Sequence, residues 1–400
     1  MANAVRRRQG VVSGLRESRW AAVICVAIAV FVDYLIYGAI VPLTPYSPAG
    51  SGSGTALSTL YGAYSAGVLL STPVFGTLGD RAGYRTVMWF AAALGVPAVL
   101  LLWHSEGFVL TLIGRLLQGA ASAATWTAGL ALIAARYPTD RVRMIGLVLM
   151  ASTGGSVIGP VMSGALYQIG GYRLPFLVLC VVVLTDSALR VLLLPKDVPH
   201  AGPRLSVARL IADRSVATPA LAVAIAAGAW GILEPVLPRH LEANLGADAA
   251  QVGLLFTVST IVYGCTSPLV SQVTGRLGMA RTAVAGMVAM AAALPLLGLS
   301  PTIILSGAVL CFVNAAFAFL LNPTSAELGD AVERRGLACY GAVYAIYNIA
   351  YAVGMMSAST LAASMSARFS VIEILLCVSI ILLLCVPLML GAGRRMQAAV

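Results

Sequence analysis

The chain has 400 residues, of which 60% are hydrophobic and only 10% charged, with a formal net charge of +10 and a mean hydropathy of +0.93. No water-soluble domain of this size carries so little charge over so much apolar sequence, so the solvent of the fold is lipid. The basic excess does not indicate nucleic acid: 20 of the 25 Lys and Arg fall on one side of the apolar runs, Arg173, Arg239 and Arg368 on the other, and Arg115 and Arg190 within runs. This is the positive-inside asymmetry, which puts both termini in the cytoplasm of a multi-pass protein.

A hydrocarbon core of roughly 30 Å needs about 20 apolar residues per helix. The pattern predicts membrane helices over 20–41, 57–78, 85–103, 108–135, 143–166 and 174–194, then 216–237, 252–274, 281–299, 302–325, 337–361 and 371–391. The first run lacks a small-residue cleavage site and carries Asp33, so it reads as a retained helix rather than a signal peptide. After the second run comes a polar, glycine-bearing turn over 76–85, and after the sixth the longest polar stretch, 195–215. The expected organisation is a six-helix bundle over 1–194, a cytoplasmic linker over 195–215 and a second six-helix bundle over 216–400.

Pro42-x-x-Pro45 returns as Pro235-x-x-Pro238, and Arg81-x-Gly83 as Arg276-x-Gly278, at shifts of 193 and 195 residues. Duplicated halves of this kind form a site between them, and rocking exposes it to each side in turn. Seven cysteines sit singly in apolar runs and imply no disulfide framework. His104, His200 and His240 fall in loops without ligand spacing, so neither a metal, a cofactor nor an intramembrane enzyme is expected.

An ionised side chain at the membrane centre costs roughly 2.5–3.5 kcal/mol on insertion scales, so each one retained needs a reason. Asp33 lies in the first run, Arg115 in the fourth, Asp186 in the sixth and Glu234 near the outer end of the seventh. Asp186 has Arg190 four residues on, on the same helix face, and a structural ion pair explains both. Asp33 and Glu234 are either members of structural ion pairs or the proton-coupling acids of a shared cavity, with Arg115 as charge partner. Two acids against one Arg leave that cavity negative, which favours cations or zwitterions as cargo.

The turn Gly76-Thr77-Leu78-Gly79-Asp80-Arg81-Ala82-Gly83-Tyr84-Arg85 resembles the loop signature G-x-L-x-D-R-x-G-x-R of the major facilitator superfamily. That resemblance implies an all-α membrane protein of twelve helices in two pseudo-symmetric six-helix bundles. It also implies a cytoplasmic gate carried by Gly76, Asp80, Arg81 and Gly83. Gly155, Gly159 and Pro160 in the fifth run resemble the glycine-proline motif of the antiporters in that superfamily, though a small-residue packing face explains them almost as well.

Four stretches are similar to the vesicular amine transporter branch of the drug-proton antiporters: Asp33 with Val41-Pro42-Leu43-Thr44-Pro45, Arg115-Leu116-Leu117-Gln118-Gly119, Leu233-Glu234-Pro235-Val236-Leu237-Pro238, and Tyr340 to Ile346. The resemblance places Asp33, Arg115 and Glu234 in or near a central cavity, with Tyr263 and Tyr351 as cavity aromatics suited to organic cations. Tyr64, Ala318 and Asn348 stand where that branch carries a Lys and two Asp, so much of its charge network is missing. Tyr37, Trp126, Trp230, Asn314, Asn322, Tyr344 and Tyr347 complete the expected cavity wall.

The expected function is proton-driven export of a small cationic or amphiphilic organic solute, as a monomer in the cytoplasmic membrane. Export of a polar natural product such as a siderophore, and proton-driven uptake, are the alternatives. Arg outnumbers Lys by 24 to 1, which suits a bacterial chain from a GC-rich genome.

Overall fold

A computed structural model describes residues 20–47, 54–104, 107–137, 140–195, 214–333 and 340–397, and among them every regular element is helical. The first half comprises α1 (Ala21–Ile40), a 3-10 turn (Val41–Tyr46), α2 (Gly54–Ala82), α3 (Tyr84–His104), α4 (Phe108–Arg136), α5 (Arg141–Gly170) and α6 (Arg173–Leu193). The second comprises α7 (Arg214–Gly231), α8 (Leu233–Leu245), α9 (Ala249–Leu277), α10 (Met279–Leu299), α11 (Ile303–Glu333), α12 (Tyr340–Met365) and α13 (Val371–Gln397). Apart from its ends, the linker expected over 195–215 lies outside the described residues.

These helices make twelve spans, because α7 and α8 together form the seventh, Val216–Leu245. Ten spans among the described residues are long and apolar enough to cross a membrane. The expected seventh helix was continuous, and the structure corrects this with a break at Ile232. Pro235 supplies the reason: it has no N–H to offer the Gly231 carbonyl, and its ring crowds that oxygen. Within α8 the same Pro sits in the first turn, where the missing donor costs nothing, and Glu234 lies beside it.

Lipid supplies no hydrophobic drive between helices, so close packing does the work. In the first half α1 packs on α5, and α4 packs on α2 and α3; in the second α10 packs on α11 and α13, and α9 on α11. The halves meet through α2 with α12 and α5 with α9, and a shift of six spans turns one pair into the other. The turns that close spans two and eight repeat likewise. Gly83 (φ +91°) and Gly278 (φ +83°) each reverse the chain as a single left-handed residue between two helices.

The contacts across the halves gather at the membrane face opposite the chain ends, called distal below. Tyr46 donates to the Ala247 carbonyl at 3.4 Å, Thr55 to Ala363 at 3.1 Å and Thr257 to Val157 at 2.8 Å. Gly253 approaches Pro160 so closely that a Cβ there would lie 2.3 Å from the Pro160 oxygen. The cleft between the bundles is therefore shut distally.

Candidate functional site

Below this closure lies a cavity between α1, α2, α4 and α12, with an empty volume of about 660 Å³ that includes its opening to solvent. Its wall is aromatic: Tyr34, Tyr37, Tyr64, Trp126, Tyr347 and Tyr351. Ser65, Ser122 and Asn348 are its polar members besides the tyrosine hydroxyls, and among the described residues no carboxylate, amine, guanidinium or imidazole lines it. Asn348 brings a buried amide nitrogen with no partner.

Asp33 and Glu234 stand one residue behind this wall. Asp33 accepts from the Ser122 hydroxyl at 2.7 Å and the Trp126 indole at 3.1 Å, and Ser122 accepts in turn from Tyr64 at 3.0 Å. Glu234 accepts from the Tyr37 hydroxyl and, at 3.2 Å, from the Trp230 indole. Each carboxyl is thus held by one hydroxyl and one indole N–H, and both are buried, at 8% and 3% exposure. The donors Tyr37, Ser122 and Trp126 line the cavity, so any change of charge on either acid is passed to the cavity through side chains of its wall.

Arg115 stands apart from both acids. Among the described residues it forms no ion pair with either acid: Nε donates to the Leu60 carbonyl at 3.2 Å and Nη1 to Gln118 at 2.7 Å. Tyr61, Tyr64 and Tyr37 present their rings to its guanidinium at 5.2, 5.0 and 5.8 Å. It meets Glu234 only across Tyr37, whose ring faces the cation while its hydroxyl serves the carboxylate.

The other expected residues divide. Tyr37, Tyr64, Trp126, Tyr347, Asn348 and Tyr351 share the cavity wall. Trp230 stands behind it, stacked on Phe317 at 5.4 Å. Tyr263 and Asn322 are spent on each other and on Ser267, through bonds of 2.6 and 3.0 Å, and neither lines the cavity. Asn314 is buried with its amide nitrogen unpartnered. The side chains of Tyr344 and Asp80 lie outside the described set, whereas Arg81 is exposed and Gly83 forms the turn described above. Gly76 has only Thr127 near the place of a Cβ, at 4.0 Å. Gly155 and Gly159 admit the backbone of α1 at Phe31 and Leu35, and Pro160 packs on Gly38. Asp186 and Arg190 form the expected pair at 2.6 Å.

Tyr34, Ser65 and Ser122 belong to the site and were not anticipated. For Ser122 a signal existed, because Arg115, Gln118, Ser122 and Trp126 recur at helical spacing and make one polar stripe on α4.

The family model described as "Major Facilitator Superfamily" matches residues 26–217 and 219–397, nearly the whole chain. The chain belongs to the major facilitator superfamily. It is accordingly a membrane transporter and not an enzyme. Among curated relatives of this superfamily member, the chromaffin granule amine transporter of Rattus norvegicus is 29% identical over 294 residues, 72% of this chain and 56% of that protein. The vesicular acetylcholine transporter of Drosophila melanogaster is 29% identical over 391 residues, 84% of this chain and 66% of that protein. The chain therefore spans less than two thirds of the length of either. In fold it is similar to the nucleoside transporter NupG, with a TM-score of 0.73 at 12% identity over 92% of this chain and 99% of that one.

Proposed function

We propose that this transporter exchanges protons for a small cationic or amphiphilic organic compound and exports it across the cytoplasmic membrane. The observation that carries the reading is the pair of carboxyls, one per half, each bonded to residues of a shared aromatic cavity. An ionised acid there attracts a cation and a protonated one does not, so proton and cargo compete and drive each other in opposite directions. The aromatic wall suits an organic cation through its ring faces. Two relatives are named for an amine and for acetylcholine, both cationic cargoes, which supports the same class.

In this reading residues 1–194 and 216–400 rock as two bodies about the cavity, the termini are cytoplasmic, and the monomer is the working unit. Gly76, Asp80, Arg81 and Gly83 serve as the cytoplasmic gate, and Gly155, Gly159 and Pro160 let α5 follow α1. Asp33 and Glu234 carry protons; Arg115 sets the local field without pairing with either. Purified protein in proteoliposomes under an imposed pH gradient tests this. Organic cations should move against the proton flow, and collapse of the gradient should stop net movement. Equal transport of simple organic anions, or accumulation in the direction of the protons, would overturn it; the second outcome would favour uptake.

A further inference from the structure

Arg115 retains one unanswered donor. Its Nε and Nη1 are committed, three tyrosine rings cover the group, and Nη2 has no partner although the residue is only 1% exposed. No carboxylate pairs with it among the described residues, and a guanidinium cannot shed its charge. A buried guanidinium nitrogen left without a hydrogen-bond partner is a costly arrangement, and a native structure that keeps one points to a missing partner.

A place for that partner exists. Arg115 lines a second cavity, enclosed by α1, α2, α3, α4, α6 and the end of the 3-10 turn, that shares no residue with the aromatic one. Its empty volume is about 370 Å³, and its walls are largely apolar, Leu43, Leu57, Leu102 and Phe176 among them. The buried Ser47 also lines it: its oxygen accepts from Tyr172 at 3.4 Å, which leaves its own hydroxyl hydrogen for another acceptor. Among the described residues the chamber is thus lined by one fixed positive charge, the hydroxyl residues Ser47, Tyr61, Thr111 and Tyr172, and no acid.

We propose that this second cavity binds a small monovalent anion, of which chloride is the simplest, between Nη2 of Arg115 and the hydroxyl of Ser47. One positive charge matches one negative charge, and a divalent anion would leave an excess in apolar walls. The anion neutralises Arg115 from the side away from the cargo. It therefore also sets the field that Glu234 feels across Tyr37.

The test needs no transport. Thermal unfolding of the purified full chain is followed at fixed ionic strength while chloride or bromide replaces gluconate, a bulky polyhydroxy anion. A ligand of the folded state raises the midpoint in a saturable way. The expected result is saturable stabilisation by both halides, with half-saturation raised roughly ten-fold in Ser47→Ala and the effect lost in Arg115→Gln. Crystals grown in bromide should show its anomalous signal between residues 47 and 115. Equal midpoints in gluconate and chloride, unchanged titration of Ser47→Ala, or a cavity holding water alone would overturn the site. If Arg115→Gln does not fold, Ser47→Ala and the bromide signal decide.

Discussion

Asp33 and Glu234 are treated alike by the fold: different helices and different halves, yet one hydroxyl and one indole donor each. Asp33→Asn keeps the shape and some of the bonding but removes the titration, so cargo binding should survive in part while pH-driven exchange is lost. Undiminished exchange in that variant would remove Asp33 from the mechanism. Tyr37→Phe keeps the ring over Arg115 and beside Tyr64, at 4.8 Å, and deletes only the donor to Glu234. Hydrogen bonds to charged groups contribute about 1.5–3 kcal/mol, so the exchange rate should fall roughly ten-fold or more with little change in protein yield. Initial rates in vesicles would show it. The acids were legible in the sequence because charge in an apolar run stands out. Ser122 and Tyr34 were not, because a neutral polar residue costs little in a helix bundle. Arg115 was legible as a charge, whereas the tyrosine ring between it and Glu234 was not, since sequence shows that opposite charges exist but not what stands between them.

At the scale of helices, hydropathy located the spans but not their ends or breaks. The run expected over 57–78 is the helix Gly54–Ala82, because a helix continues past the apolar segment for as long as its backbone finds partners. The seventh span broke where Pro235 follows Gly231, a local chemistry that an average over twenty residues conceals. The close helix contacts give a sharper test. A Cβ on Gly155 would lie 2.3 Å from the Phe31 carbonyl oxygen of α1, a distance that no rotamer relieves, since both sides are backbone. Gly155→Ala should therefore force α1 and α5 apart and destabilise the first half by about 1–3 kcal/mol, the usual cost of overpacking. A lowered thermal midpoint of the purified protein checks it, and an unchanged midpoint would show that the helices are free to part without loss.

For the molecule as a whole, the duplicated turns and proline pairs already announced two related halves, whereas which face is closed depends on contacts between residues hundreds of positions apart and has no trace in the sequence. Here the distal face is the closed one, stitched by bonds such as Thr55 to Ala363 at 3.1 Å. Alternating access requires this seam to open once per cycle. In a background lacking the seven native cysteines, Thr55→Cys with Ala363→Cys should be joined by a short thiol cross-linker, since the two positions already touch. Joining them should arrest exchange while leaving cargo binding from the opposite face, and reduction should restore transport; each single variant, treated the same way, should transport normally. Gly253→Ala acts on the second seam in the opposite sense: its Cβ would meet the Pro160 oxygen at 2.3 Å, so closure is disfavoured and the molecule should spend more time open distally. A thiol placed at residue 55 alone should then react faster with a membrane-impermeant reagent in Gly253→Ala than in the parent. Equal reactivity, together with full transport by the cross-linked pair, would mean that this face does not move and that the cargo leaves by another route.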